Sequence, residues 1–302
     1  SSLTDLEILG IAIGNSEFSN ATGITTIALS DTTIDATTLA ATIDSLDTLN
    51  GDATTEITLA SEATINVASG EIAHMLLDET ENRLEISDQD IVVTGNISVD
   101  DANLLSATTT GTVTASITTT ESITELKTLT ETSNDYTIVI SSADATATAE
   151  DLSAIDGKTT ATIDATAVTS ISGTYDQITA LYESAGVDNL GDESITLTEN
   201  LTVTQANVID GLTTGVVTAT IGNSRVSELI GGTPLLNANN NNAYTIAISS
   251  EDAAVSASDL NAINALTTEA VDLTNVTSIT SSSLTDLEIL GAAIGNDEFS
   301  NG

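Results

Sequence analysis

Three short acidic runs hold much of the material from which this chain could build chemistry: Asp78-Glu79, Asp100-Asp101 and Gly191-Asp192-Glu193. Clustered carboxylates are the raw material of a Ca2+ site, which gathers about six to eight oxygen ligands. They are equally at home in solvated turns and at helix N-termini, where the dipole favours negative charge. No EF-hand loop accompanies them, and tandem GGxGxDxx nonapeptides are missing. The expectation is weak binding or screening by Ca2+, Mg2+ or salt, with no metal ligand set assigned and no cofactor required.

Other reactive side chains are scarce. The single histidine, His74, lies in Ile72-Ala73-His74-Met75-Leu76-Leu77, a short-helix pattern in which Met75 reads as core filling. One histidine cannot assemble the usual zinc site without several carboxylates, and the chain has no cysteine. Lys127 and Lys158 are isolated, while Arg83 and Arg225 have acids to pair with. No G-x-S-x-G elbow positions a serine nucleophile, and no Walker A lysine follows a glycine-rich loop. The expectation is that the chain is not an enzyme. Tyr136 and Tyr244 open equivalent strands, and Phe18 and Phe299 occupy one position of a long repeat, so neither set forms an exposed sugar-binding row.

The elements that must carry these residues follow from composition and repetition. The 302 residues carry 45 Asp and Glu against 4 Lys and Arg, a formal charge of -41, which excludes a basic footprint for nucleic acid. Hydrophobic residues make up 40% and charged ones only 16%, so the chain reads as ordered rather than as an acidic disordered tail. β-Branched residues abound and proline occurs once, at Pro234, which suits strands. No apolar run is long enough to span a membrane.

Residues 1–20, SSLTDLEILGIAIGNSEFSN, recur at 282–301 as SSLTDLEILGAAIGNDEFSN, with two differences and an offset of 281. The 302 residues therefore read as one long period and the start of another, a window on a longer repeat. Inside it, strand-like segments open at Ile27, Leu84, Ile138, Ile195 and Ile246. They define approximate units at 27–83, 84–137, 138–194, 195–245 and 246–302, after 1–26 as the end of one repeat. Each unit divides again into pieces of roughly 28 residues.

Capped short helices are expected at Ser2–Leu9, Ser98–Leu105, Thr148–Ile155, Thr174–Tyr182, Ser256–Ile263 and Ser283–Leu290. Gly10, Gly51, Gly157, Gly211 and Gly291 stand where helices would stop. The threonine-rich runs 107–120 and 212–220 read as solvated sheet faces or corners, and the asparagine run 237–242 as a loop, most simply a tolerated insertion. Two-turn helices and four-residue strands are unstable alone, so the fold class expected is a repeat solenoid. It would stack ~28-residue coils of short parallel β-strands and short α-helices, β-helix-like or β/α, as one continuous segment over 1–302.

The segments ATAVTSISGTYDQITALYESAG at 165–186 and LTVTQANVIDGLTTGVVTATI at 201–221 carry a resemblance. They resemble the repeats of giant acidic bacterial cell-surface proteins, including adhesin-like ones of marine cyanobacteria. The resemblance implies an extracellular location and a structural role in a filament, surface coat or surface layer. Its partners would be copies of itself or other surface components. The alternative it implies is a non-assembling stalk of a large adhesin, whose glycan or cell contact would be made by a module outside this segment.

Overall fold

The computed structural model describes residues 2–14, 26–50, 55–232, 235–237, 239–281 and 283–300. Phe18, Gly51 and Pro234, and with them part of the first copy of the long repeat, lie outside the described residues.

In chain order the first elements are α1 (Leu3–Gly14), β1 (Thr26–Ala28), β2 (Thr33–Asp35), α2 (Ala36–Asn50), β3 (Glu56–Thr58), β4 (Thr64–Ala68) and α3 (Ile72–Thr80). There follow β5 (Leu84–Glu85), β6 (Asp90–Ile97), α4 (Val99–Thr108), β7 (Val113–Ile117), α5 (Ile123–Leu126) and β8 (Asp135–Thr137). The chain continues through β9 (Thr146–Thr148), α6 (Ala149–Asp156), β10 (Ile163–Asp164), β11 (Ser170–Gly173), α7 (Tyr175–Glu183), β12 (Val187–Asp188), β13 (Ser194–Leu201) and α8 (Val203–Asp210). It ends with β14 (Val217–Ser224), α9 (Val226–Leu229), β15 (Ala243–Ile248), β16 (Ala254–Ser256), α10 (Ala257–Asn264), β17 (Val271–Asp272), β18 (Ser278–Thr280), α11 (Leu284–Gly295) and β19 (Phe299–Ser300).

The chain divides into two units. The first comprises Ser1–Ser141 and Ala154–Asp164, the second Ser142–Ser153 and Ala165–Gly302. In the first unit, a five-stranded parallel sheet runs β2-β4-β6-β7-β8 and a three-stranded one runs β1-β3-β5. The second unit holds a seven-stranded parallel sheet, β19-β17-β15-β14-β13-β11-β9, and the pair β16-β18.

These pairings correct the expected solenoid and its β-helix-like form. The structure is an α/β fold in which several separate parallel sheets are combined with eleven α-helices among the described residues. Parallel neighbours cannot be joined by a tight hairpin and need a crossover, usually helical. The helices that supply it range from the four residues of α5 to the fifteen of α2, so the repeating text does not become uniform coils. The ladders also slip, between Val92 and Asn96 against β7 and between Thr196 and Asn200 against β14. Such irregularities bend a strand locally and interrupt the alternation of its side chains.

Local chemistry explains the elements. β7 and β15 alternate buried and less buried residues, which places Val113, Ala115 and Ile117, and Tyr244, Ile246 and Ile248, in the core. Ser122 and Glu125 close a capping box on α5, as do Thr174 and Gln177 on α7, and Thr202 and Gln205 on α8. Ser98, Ser256 and Ser283 cap α4, α10 and α11 through the backbone N–H of Asp101, Asp259 and Asp286. Two expected helix stops are corrected. α1 continues past Gly10 to Gly14 and α11 past Gly291 to Gly295. A Cβ at Gly291 would meet nothing within 4 Å, so this glycine marks no turn, and the small and apolar text beyond it prolongs the helix.

Candidate functional site

The acidic runs do not converge. Among the described residues, no group of three or more His, Asp or Glu side chains is placed to hold a metal ion. One acid of each run is engaged locally. Asp101 accepts from the Ser98 hydroxyl at 2.8 Å at the start of α4. Asp78, buried on α3, is bridged by Arg83 at 2.8 Å, and Arg83 also reaches Glu81 at 2.8 Å. His74 Nε2 lies 3.7 Å from Asp44 and 4.0 Å from Asp78 at the edge of this cluster. Arg225 pairs with Glu251.

Glu193 turns inward rather than toward solvent and is 0% exposed. Its carboxyl accepts from the Gly191 N–H at 2.9 Å and from the Tyr182 hydroxyl at 2.6 Å. Gly191 adopts φ +133°, a conformation open to glycine, and this brings its N–H back onto the side chain two residues on. Burial, then the hydrogen bond and charge of Glu193, push the Tyr182 phenol far above its ordinary value of 10. A phenol held protonated in this way donates a hydrogen bond and does not serve as a base.

The most developed polar constellation appears twice, once in each unit. In the first, Asn134 sits just before β8. Its Oδ1 accepts from the Val113 N–H at 2.8 Å, and its Nδ2 donates to the Ser106 hydroxyl at 2.9 Å and the Tyr136 hydroxyl at 3.0 Å. In the second, Asn242 precedes β15. Its Oδ1 accepts from the Val217 N–H at 2.8 Å, and its Nδ2 donates to Asp210 at 2.6 Å and the Tyr244 hydroxyl at 2.9 Å. The asparagine side chain thus does the work of a backbone partner where the neighbouring strand has not yet begun, leaving no orphaned N–H in the core.

The surroundings repeat as well. Thr109 and Thr213 are buried, and each donates at 2.6 Å to the backbone carbonyl of Gln89 or Glu193. Each also accepts at 2.9 Å from the N–H of the glycine two residues on, Gly111 or Gly215. A Cβ on either glycine would stand 2.3 Å from the same carbonyl oxygen, so both positions exclude a side chain. Thr159 and Thr267 donate to the carbonyls of Tyr136 and Tyr244 at 2.8 and 2.7 Å.

One place differs. Beside Ser106, Thr109 and Asn134 the first unit has a groove of about 360 Å³, whose walls include Thr110, Glu131 and Ser133. At the matching place in the second unit, Asn237 and Asn239 donate to Asp210 at 3.3 and 3.2 Å, and Asn240 donates to the Thr213 carbonyl at 3.2 Å. From Ser106 to Asn134 is 28 residues and from Asp210 to Asn242 is 32, so the second loop is four residues longer. The asparagine run is an insertion relative to the first unit, but it is tied into the core rather than merely tolerated.

Burial pushes the Tyr136 phenol up to about 12, against the opposing hydrogen bonds of Ser106 and Asn134. The Tyr244 phenol is raised further by burial and by the charge of Asp210. These constellations serve packing: both amide hydrogens and the carbonyl oxygen of Asn134 and of Asn242 are spent within the fold. Sequence reading passed over Ser106, Asn134 and Asp210, and left Thr109, Thr213 and Asn242 in runs taken for solvated faces, corners or a loop. The signal that finds them is an internal alignment at offsets of 104 and 108, which superposes Thr109-Thr110-Gly111 on Thr213-Thr214-Gly215 and Asn134-Asp135-Tyr136-Thr137-Ile138 on Asn242-Ala243-Tyr244-Thr245-Ile246.

Among the described residues, no helix is long and apolar enough to cross a membrane. No protein-family model, no curated protein and no solved structure matches the chain.

Proposed function

We propose that this chain is a structural repeat segment of an extracellular filament, surface coat or surface layer, and that it works by assembling with copies of itself. The supporting observation is repetition at two scales. The text of α1 returns in α11 at an offset of 281, and the polar joint around Asn134 returns around Asn242. A chain that reuses the same packing devices is suited to regular assembly, because each copy presents the same surfaces to the next. Its charge of -41 opposes close approach of copies, and salt relieves that repulsion.

Electron microscopy of the purified chain across a salt series tests this reading. Fibres or sheets with a regular repeat, forming more readily as salt rises, are expected. Dispersed single particles under every condition would overturn it in favour of a non-assembling adhesin stalk.

A further inference from the structure

The place that three amides fill in the second unit stays a groove in the first. In the second unit the Thr213 carbonyl accepts from Asn240 at 3.2 Å, and Asp210 accepts from Asn237 and Asn239 at 3.3 and 3.2 Å. N–H donors from the chain's own loop are thus directed at that place. In the first unit Ser106 stands for Asp210 and Thr109 for Thr213, at an offset of 104, and Glu131 stands for Asn239, at an offset of 108.

This exchange removes the donors and keeps the acceptors. The Thr109 carbonyl, counterpart of the one that takes Asn240, has no hydrogen-bond partner among the described residues, although Thr109 is only 8% exposed. The Glu131 carboxyl makes no hydrogen bond or ion pair with the described residues either. Its charge adds to burial in raising the Tyr136 phenol, which places the carboxylate on the groove side. No Lys, Arg or His lines the groove.

We propose that this groove is a binding site for a small organic molecule carrying a primary ammonium group, held between the Glu131 carboxylate and the Thr109 carbonyl. An ammonium offers three N–H donors and no acceptor, which suits a wall of unspent acceptors. Its hydrogen bond to a carboxylate is about twice as strong as a neutral one. The Ser106 and Ser133 hydroxyls stand beside this pair and can meet polar groups on the rest of the molecule. A space of about 360 Å³ suits a small organic ligand. A single carboxylate is a poor start for a hard metal ion, which gathers about six to eight oxygens. The charge of -41 draws cations to the whole surface, so geometry must single out this groove.

An NMR titration of the full chain with glucosamine in its protonated form tests the site, with N-acetylglucosamine as its uncharged counterpart. It is read on dispersed single chains, so it is decided apart from assembly. Saturable shifts of the Thr110 and Gly111 amides are expected, with none at the matching Thr214 and Gly215. N-acetylglucosamine is expected to bind at least about tenfold more weakly. Glu131→Gln, altered at an exposed side chain, is expected to keep the wild-type thermal midpoint and lose at least about tenfold in affinity. Glu183→Gln removes one exposed acid of the second unit and is expected to bind glucosamine as the wild type does. Equal shifts in both units, or equal losses in the two variants, would mark loose counterion attraction and overturn the site. Glu131→Gln binding like the wild type would also overturn it, as would equal affinity for N-acetylglucosamine or no shift at Thr110 and Gly111.

Discussion

The two asparagine joints share a geometry and differ in charge. Around Asn134 every partner is neutral: the Ser106 hydroxyl, the Tyr136 phenol and the Val113 N–H. Around Asn242 the serine is replaced by Asp210, whose carboxyl takes three amide donors, from Asn237, Asn239 and Asn242. Gln89 and Glu193 show the same exchange of amide for acid at a second buried position. The fold therefore accepts an acidic side chain in its interior where extra donors arrive with it. In the second unit they arrive on a loop four residues longer. In the first, where they are missing, the corresponding space remains a groove.

The sharpest way to separate the joints is to remove the asparagine from each. Asn242→Ala strands the Val217 N–H and also strips Asp210 of its shortest donor, at 2.6 Å. It is expected to cost about 3 kcal/mol or more, because a hydrogen bond to a charged group is lost along with the neutral ones. Asn134→Ala is expected to cost about 1–2 kcal/mol. Hydrogen exchange at the Val217 and Val113 amides, with urea unfolding, measures the difference. Equal losses would show that the acid at position 210 adds nothing to the joint.

Exchanging the partners tests whether donors or shape decide. Ser106→Asp installs a carboxyl beside Asn134 without counterparts of Asn237 and Asn239, and with Glu131 in the groove wall. About 2 kcal/mol of destabilisation is expected. Asp210→Ser removes the common acceptor of three amides and is expected to cost about 1–2 kcal/mol. Thermal unfolding reads both; a neutral Ser106→Asp would mean that the groove hydrates an acid without protein donors.

The phenols give the comparison a pH signature. Tyr136, Tyr182 and Tyr244 all have raised values in the folded protein, so folding favours their protonated form. Their stabilisation is complete below the ordinary phenol value of 10 and is lost as pH rises through the folded values, which for Tyr136 is about 12. Absorbance at 295 nm is expected to show these phenols ionising late or only on unfolding. Tyr136→Phe is expected to remove an earlier step and Tyr244→Phe a later one, since the charge of Asp210 adds to burial at Tyr244 while the hydrogen bonds of Ser106 and Asn134 oppose burial at Tyr136.

Helix caps should be indifferent to the difference between the units. Ser122→Ala on α5 and Thr202→Ala on α8 each dismantle a capping box. Losses of about 1 kcal/mol are expected from both, measured by chemical denaturation. A much larger loss at Thr202 would tie that cap to the acidic joint at the far end of the same helix.

Local text was a reliable guide where the governing interactions are local. Thr174 and Gln177 are three residues apart, so the capping box on α7 could be read directly, whereas β7, with Val113, Ala115 and Ile117 buried, lies inside a run read as a solvated face or corner. The threonine-rich runs misled because hydroxyls at Thr109 and Thr213 are satisfied by carbonyls 20 positions away. The acidic run at 191–193 misled similarly, since Glu193 finds a phenol eleven positions back on α7. The solenoid expectation extended a local rhythm to the whole chain. The register shifts, the unequal helices and the division among sheets depend on packing that no single repeat records.

By itself the amino-acid sequence determined the repeated helix text, the caps, the strand faces and the acidic charge, because each depends on neighbouring residues or on composition alone. Tertiary structure decided which polar residues became core, since a buried donor is tolerated only where another segment brings its acceptor.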